Sequence, residues 1–368
     1  MSSAAERRPA LRAPKVVSAP SLPETVRRFS ALAAAVWRAR RRAFDPFKLT
    51  WIVTERCSLH CRTCHLWATE PDEGPPLRIV ERVLAANRHL TWLNLSGGDL
   101  VERPDAPQLI EAVARHLPDL ALLDFPTAGQ DPAAALAALQ PALESAIPRI
   151  YVTVSLDGPD AVHDRLRGRR GAAARARATL RRLGALRRPG LVVLAGMTLS
   201  RHNLPERPPQ DWTSLLPDGI DTRRLHLNLA HHSAHYYRNA ADVRPPVGTA
   251  LALCDALASR RGLPLTPLEL IERRYWSMAR RFLQEGDAGQ ECGALSASAF
   301  LAADLTVYPC SIFDRPLGNL ADVDYALRRL PELSPATAAL EEVQTRQCPR
   351  CWSPCEAFPT LLRRLGRA

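Results

Sequence analysis

Residues 54–67 read Thr54-Glu55-Arg56-Cys57-Ser58-Leu59-His60-Cys61-Arg62-Thr63-Cys64-His65-Leu66-Trp67, and the apolar stretch 49–54 runs directly into them. A loop that follows a strand can wrap its thiolates around one centre. Three thiolates can hold three irons of a [4Fe–4S] cube, whereas a plain electron-transfer cluster generally uses four. The missing ligand leaves one iron open to bind another molecule. The competing assignment is zinc, with His60 or His65 completing a tetrahedral site.

Outward from this loop the chain keeps a regular beat of short apolar runs separated by helical periodicity. Strands are expected at 49–54, 91–96, 120–125, 149–156, 191–198 and 224–229, with helical stretches such as 172–186 between them. Alternating strands and helices argue for a parallel sheet of βα units with one crossover hand. Six repeats fit an open barrel better than a closed eight-fold one, and the polar motifs fall at strand C-terminal ends, where such barrels place chemistry. The expected class is therefore α/β, a partial (β/α)6 barrel. Past residue 240 the beat stops. A helix over 249–261 leads past Pro264 and Pro267 to a small hairpin, 299–301 with 306–308, between Cys292 and Cys310. The division expected is 1–47, 48–240 and 241–368. Residues 1–20 read as disordered. Residues 22–43 read as a helix with Leu32, Val36 and Trp37 apolar and Arg38, Arg40, Arg41 and Arg42 at its end, where cations suit the dipole. It either covers one end of the barrel or makes peripheral contact with an anionic membrane.

The 368 residues carry a net charge of +11, with 46% hydrophobic and 24% charged residues, which is ordinary for a globular protein. The cations are nearly all arginine, with lysine only at Lys15 and Lys48, and they are spread along the chain without an aromatic-interleaved stripe. That distribution argues against nucleic acid as a partner. No run of about 18 apolar residues could span a membrane, and the N-terminus lacks the apolar core of a secretory signal. A cytoplasmic location is expected, and there nine cysteines point to metal or redox chemistry in place of disulfides.

Several further motifs carry chemistry. Leu95-Ser96-Gly97-Gly98-Asp99-Leu100 ends the second expected strand, and its glycines let backbone approach a ligand. The fourth runs through Ser155-Leu156-Asp157-Gly158 into His163-Asp164-Arg165-Leu166-Arg167-Gly168, with polar groups where a buried strand should be apolar. His231, His232, His235, Tyr236 and Tyr237 follow the sixth, either lining a pocket or exposed on a loop. Cys292, Cys310, Cys348, Cys351 and Cys355 offer five thiols for a fully ligated four-cysteine site, zinc or [4Fe–4S], so one of the last three is spare. Cys254 falls in a helical pattern and reads as core.

Taken in this order, these motifs resemble the radical S-adenosylmethionine superfamily, over residues 49–358. The resemblance implies that Cys57, Cys61 and Cys64 hold a catalytic [4Fe–4S] cluster whose open iron chelates S-adenosylmethionine. It further implies that Gly97, Gly98, Asp99, Ser155 and Arg167 position that cofactor. Asp99 stands where the family has Glu, and Thr63 where an aromatic is usual; Asn203 also matches, without a clear role. Tyr308-Pro309-Cys310, Gly318-Asn319-Leu320 and the late C-x2-C resemble the small α+β auxiliary-cluster extensions called SPASM and twitch, with cysteines enough for one auxiliary [4Fe–4S] cluster. The activity implied is hydrogen abstraction from a peptide or small-molecule substrate by a 5′-deoxyadenosyl radical, ending in oxidation or cross-linking. Flavodoxin or ferredoxin would be the electron donor. The auxiliary cluster would take an electron from the substrate or shape the pocket. A lipid-linked substrate and a zinc-holding scaffold are the alternatives.

Overall fold

The computed structural model describes residues 20–239, 242–261, 263–264 and 267–365. The disordered stretch expected over residues 1–20 lies outside them save for Pro20, as do residues 240 and 241, where the expected division falls. In chain order the described residues form α1 (Leu22–Ala39), β1 (Lys48–Thr54), α2 (Leu77–Ala86), β2 (Trp92–Gly97), α3 (Ala106–His116), β3 (Leu122–Thr127), α4 (Pro132–Glu144) and β4 (Arg149–Ser155). There follow α5 (Asp160–Arg167), α6 (Ala172–Gly184), β5 (Leu191–Leu199), β6 (Leu225–Leu229), α7 (Val247–Arg261), α8 (Pro267–Glu285), β7 (Ser298–Leu301), β8 (Thr306–Tyr308), β9 (Gly318–Asn319), α9 (Pro335–Gln344) and α10 (Pro354–Arg364).

One sheet carries all nine strands in the order β6-β5-β4-β3-β2-β1-β7-β8-β9. The six strands of the expected beat are parallel, and so the partial α/β barrel read from the sequence is the architecture found. The hairpin is present as well, but it joins this same sheet: β7 pairs in parallel with β1, and β8 returns antiparallel to β7. The third strand starts two residues later than expected and continues through Pro126. Its ladder with β2 stops at Asp124, so proline lies where the strand is paired on one side only.

Burial alternates from β4 to β6 with the period of two that a pleated strand imposes. Ile150, Val152 and Val154, then Ala195 and Met197, then Leu225 and Leu227, enter the main hydrophobic core. The intervening residues, among them Tyr151, Ser155, Thr198, His226 and Asn228, keep partial exposure on the opposite, concave face. A polar, water-accessible concave face is what a ligand-binding half-barrel needs.

At the N-terminal end of the strands, α1 packs Ala35 and Ala39 on Phe47 and Ala297. Arg28 in its second turn is buried and donates to the carbonyls of Leu117 and Leu120 just before β3. The helix thus covers the bottom of the barrel. α10 reaches β6 through Phe358 on the His226 ring and β7 through Glu356 on Ser298. No helix among the described residues is long and apolar enough to cross a membrane.

Candidate functional site

The loop after β1 brings Cys57, Cys61 and Cys64 together around Leu59 and Ala128 in one small buried cluster. Little of what holds the loop involves the thiols. Ser58 donates twice to Glu102, and the Trp67 indole donates to the Cys61 and Cys64 carbonyls at 3.2 and 2.9 Å. The carbonyls of Arg167 and Leu166, at the end of α5, accept from the backbone of His60 and Arg62. Both histidines that could complete a zinc site rest against the Trp67 ring, His60 at 4.9 Å and His65 at 6.0 Å between centroids.

Burial pushes the Cys57 thiol up to about 12 and the Cys64 thiol to about 11, so thiolates persist there only beside a cation. A guanidinium lies at hand, with Arg167 Nη1 3.7 Å from Cys61 Sγ. Three soft donors in one loop, with a cation against one of them, fit a cluster held by three thiolates. Among the described residues no group of three or more His, Cys, Asp or Glu side chains is arranged to hold a single metal ion.

Gly97 and Gly98 lie against the root of this loop. Gly98 N donates to Thr54 O and Asp99 N to Arg56 O, at 2.9 and 2.8 Å. A Cβ at Gly97 would stand 2.0 Å from Thr54 O, and one at Gly98 would stand 2.1 Å from Arg56 O. These glycines let the end of β2 cross under the cysteine loop. The Asp99 carboxylate is turned inward: Oδ1 accepts from Val101 N, and Oδ2 from the Thr127 hydroxyl and Ala128 N. It thereby ties β2 to the end of β3, beside the cysteines.

At the end of β4, Ser155 sits half-buried on the concave face opposite Gly196. Arg167 grips Asp157 through Nε and Nη2, at 2.7 and 2.6 Å. Asp157 Oδ1 accepts from Thr198 N, its backbone N–H donates to His163 Nδ1, and its carbonyl accepts from Asn203. Burial works to raise the Asp157 pKa, but Arg167, His163 and the Thr198 N–H outweigh it and hold the group down at about 2. The constellation runs Thr198–Asp157–Arg167–Cys61, from β5 to the cysteine loop. Asp164 caps the start of α6 through Ala173 N.

Gly168 closes the same corner in a left-handed conformation, φ 65°, and its missing Cβ would lie 2.4 Å from His60 O. Gly168→Ala is expected to cost about 2–3 kcal/mol in urea unfolding. Gly184→Ala, at the end of α6 with nothing within 4 Å of the new Cβ, should be neutral or slightly stabilising.

The loop after β6 is half-buried and spans both cysteine groups. Tyr237 O accepts from His65 N at 2.8 Å, Asn239 donates to Thr63 O at 3.0 Å, and the Tyr236 hydroxyl shares a hydrogen bond with Ser96. On its other side His235 Nε2 meets Cys310 O at 3.1 Å and stacks on Tyr308, while Ser233 donates to Ser311 O. His231 is buried and His232 exposed. Asn239 and Ser233 were not singled out by sequence, since nothing local marks a loop asparagine as the strut of a distant one.

Toward the C-terminus, a cavity is lined by Cys292, Cys310, Cys348 and Cys351 together with Glu356. Backbone N–H groups point at two of the sulfurs: Ala294 N at Cys292 Sγ, and Ile312 N and Phe313 N at Cys310 Sγ. Cys355 is not among the lining residues; its carbonyl accepts from Lys48 Nζ at 2.5 Å, and its backbone N–H donates to Ser353 Oγ. Cys254 is buried in the main core.

Native anSMEcpe with bound AdoMet matches the chain with a TM-score of 0.53 at 13% identity, over 80% of this chain and 83% of that one. The same protein with bound AdoMet and the Cp18Cys peptide gives a TM-score of 0.52 at 13% identity over 81% and 83%. At that identity the likeness is one of fold: the chain shares the partial α/β barrel of anSMEcpe. In sequence it is similar to the antilisterial bacteriocin subtilosin biosynthesis protein AlbA of Bacillus subtilis (strain 168), 26% identical over 164 residues. That match takes in 43% of this chain and 34% of AlbA, so it spans about a third of the relative's length. No family model matches.

Proposed function

We propose that the chain is a radical S-adenosylmethionine enzyme that acts on a peptide and carries a second, auxiliary [4Fe–4S] cluster. The observation that carries this is the three-cysteine loop at the C-terminal end of β1, opening beside a polar concave face. A [4Fe–4S] cluster with one iron free of protein thiolate would supply the electron for reductive cleavage of S-adenosylmethionine, the chemistry that starts hydrogen abstraction from substrate. Cys57, Cys61 and Cys64 would hold it, and Cys292, Cys310, Cys348 and Cys351 would hold the auxiliary cluster. Gly97, Gly98 and Ser155 stand at the strand ends where the cofactor would lie. Arg167, already paired with Asp157, would steady Cys61 more than it would bind a carboxylate. The likeness to a bacteriocin biosynthesis protein and to a peptide-bound structure supports a peptide substrate. A one-electron donor of the flavodoxin or ferredoxin kind would be needed.

The test is anaerobic reconstitution with iron and sulfide. The expected product is brown, holds about eight irons per chain, and releases 5′-deoxyadenosine from S-adenosylmethionine when dithionite is added. A colourless protein with stoichiometric zinc would overturn the proposal.

A further inference from the structure

Below the cysteine loop, the concave face carries a carboxylate that none of the roles above uses. Asp124 of β3 pairs in register with Asn94 of β2, three residues before Gly97 and so about 10 Å deeper along the strand. Oδ1 accepts from Asn94 Nδ2 and Oδ2 from Trp92 Nε1. Both donors are neutral, and each oxygen keeps a lone pair for another donor. Among the described residues Asp124 makes no ion pair. The ammonium of Lys48 is close, but it donates to Cys355 O at 2.5 Å and lies 4.7 Å over the Trp92 ring.

A second observation points at the same place. Thr50, fully buried on β1 and in register with Asn94, has an Oγ1 without a hydrogen-bond partner. Across the concave face, Asn228 Oδ1 on β6 is likewise unpartnered. Next to it His226 Nδ1 meets Glu272 Oε1 of α8 at 3.1 Å. Buried oxygens left without donors cost free energy unless a ligand or water supplies them. A carboxylate hydrogen-bonded only by neutral donors strengthens the demand for a donor that is also a cation.

We propose that Asp124 anchors a cationic nitrogen group of the substrate, a protonated amine or a guanidinium, with Thr50 as an auxiliary acceptor. The anchor sits deep in the half-barrel while the reacting part of the substrate lies above it, near the cysteine loop. This rests on the chain acting as an enzyme at its concave face.

The experiment measures binding of three blocked tripeptides, Ac-Ala-Lys-Ala-NH2, Ac-Ala-Arg-Ala-NH2 and the uncharged Ac-Ala-norleucine-Ala-NH2, to the reconstituted full chain by calorimetry. The wild type should bind both cationic peptides at least about tenfold more tightly than the norleucine peptide. Asp124→Asn should erase that preference and leave norleucine-peptide binding unchanged. Thr50→Val, which keeps the shape, should weaken only the cationic peptides, by several-fold. Equal affinities in the wild type overturn the proposal whether or not the variants fold, and so does a preference that survives Asp124→Asn. Release of 5′-deoxyadenosine is followed on the same wild-type sample. Its absence overturns the enzyme assignment; its presence with indifferent peptide binding overturns the anchor alone.

Discussion

Replacing Cys57, Cys61 and Cys64 together by alanine is expected to leave a folded barrel that releases no 5′-deoxyadenosine and holds about half the iron of the wild type. The fold should survive because the loop is held mainly by other groups: Ser58 on Glu102, the Trp67 indole on two carbonyls, and the end of α5 on His60 and Arg62. The remaining iron should stay with the second cysteine group, whose cavity is lined by the segments before β7, after β8 and between α9 and α10, and by α10 itself. Iron analysis and product chromatography read the two effects separately. Undiminished release from the triple variant would remove the radical chemistry from this loop, and loss of all the iron would show that the two groups do not load independently.

The second large effect is expected at Asp157, which no cysteine touches. Asp157→Asn removes the partner of a largely buried guanidinium and should cost about 3–5 kcal/mol in urea unfolding. Removing both charges, with Asp157→Leu and Arg167→Met in one chain, should cost clearly less than the single change, because no buried charge is then left alone. The pH dependence has a definite sign. The folded state holds the Asp157 pKa at about 2 against the ordinary 3.8. Its contribution, about 2 kcal/mol, is therefore fully present above the ordinary value and is lost as pH falls from there through about 2. Asp157→Asn should flatten the stability curve across that window relative to wild type. A variant as stable as wild type at neutral pH would mean that the Arg167–Asp157 pair adds nothing.

The two expectations differ in how far each could be read from the chain alone. The cysteine triad is a local spacing, visible without any fold. The Asp157–Arg167 pair joins residues ten apart whose side chains meet only because α5 turns back over the end of β4. Asp99 shows the same limit. Its place beside two glycines suggests a ligand contact, yet its carboxylate is taken up by Thr127 and Ala128, twenty-eight and twenty-nine residues on. Asp124 does carry a local signal, an acid inside an otherwise apolar run, but nothing local says which donors it meets or which it lacks.

By itself the sequence determined the parallel half-barrel, the two groups of cysteines and the small hairpin. Strand periodicity and ligand spacing are properties of neighbouring residues, and they survive without knowledge of what packs where. Only the tertiary structure decided that the hairpin extends the barrel sheet, that Cys355 stands apart from the cavity lined by the other four C-terminal cysteines, and that the loop after β6 braces both groups. Those outcomes depend on contacts between segments tens to hundreds of residues apart. Such contacts are set by which buried polar groups find partners once the sheet has formed, and no local pattern records them.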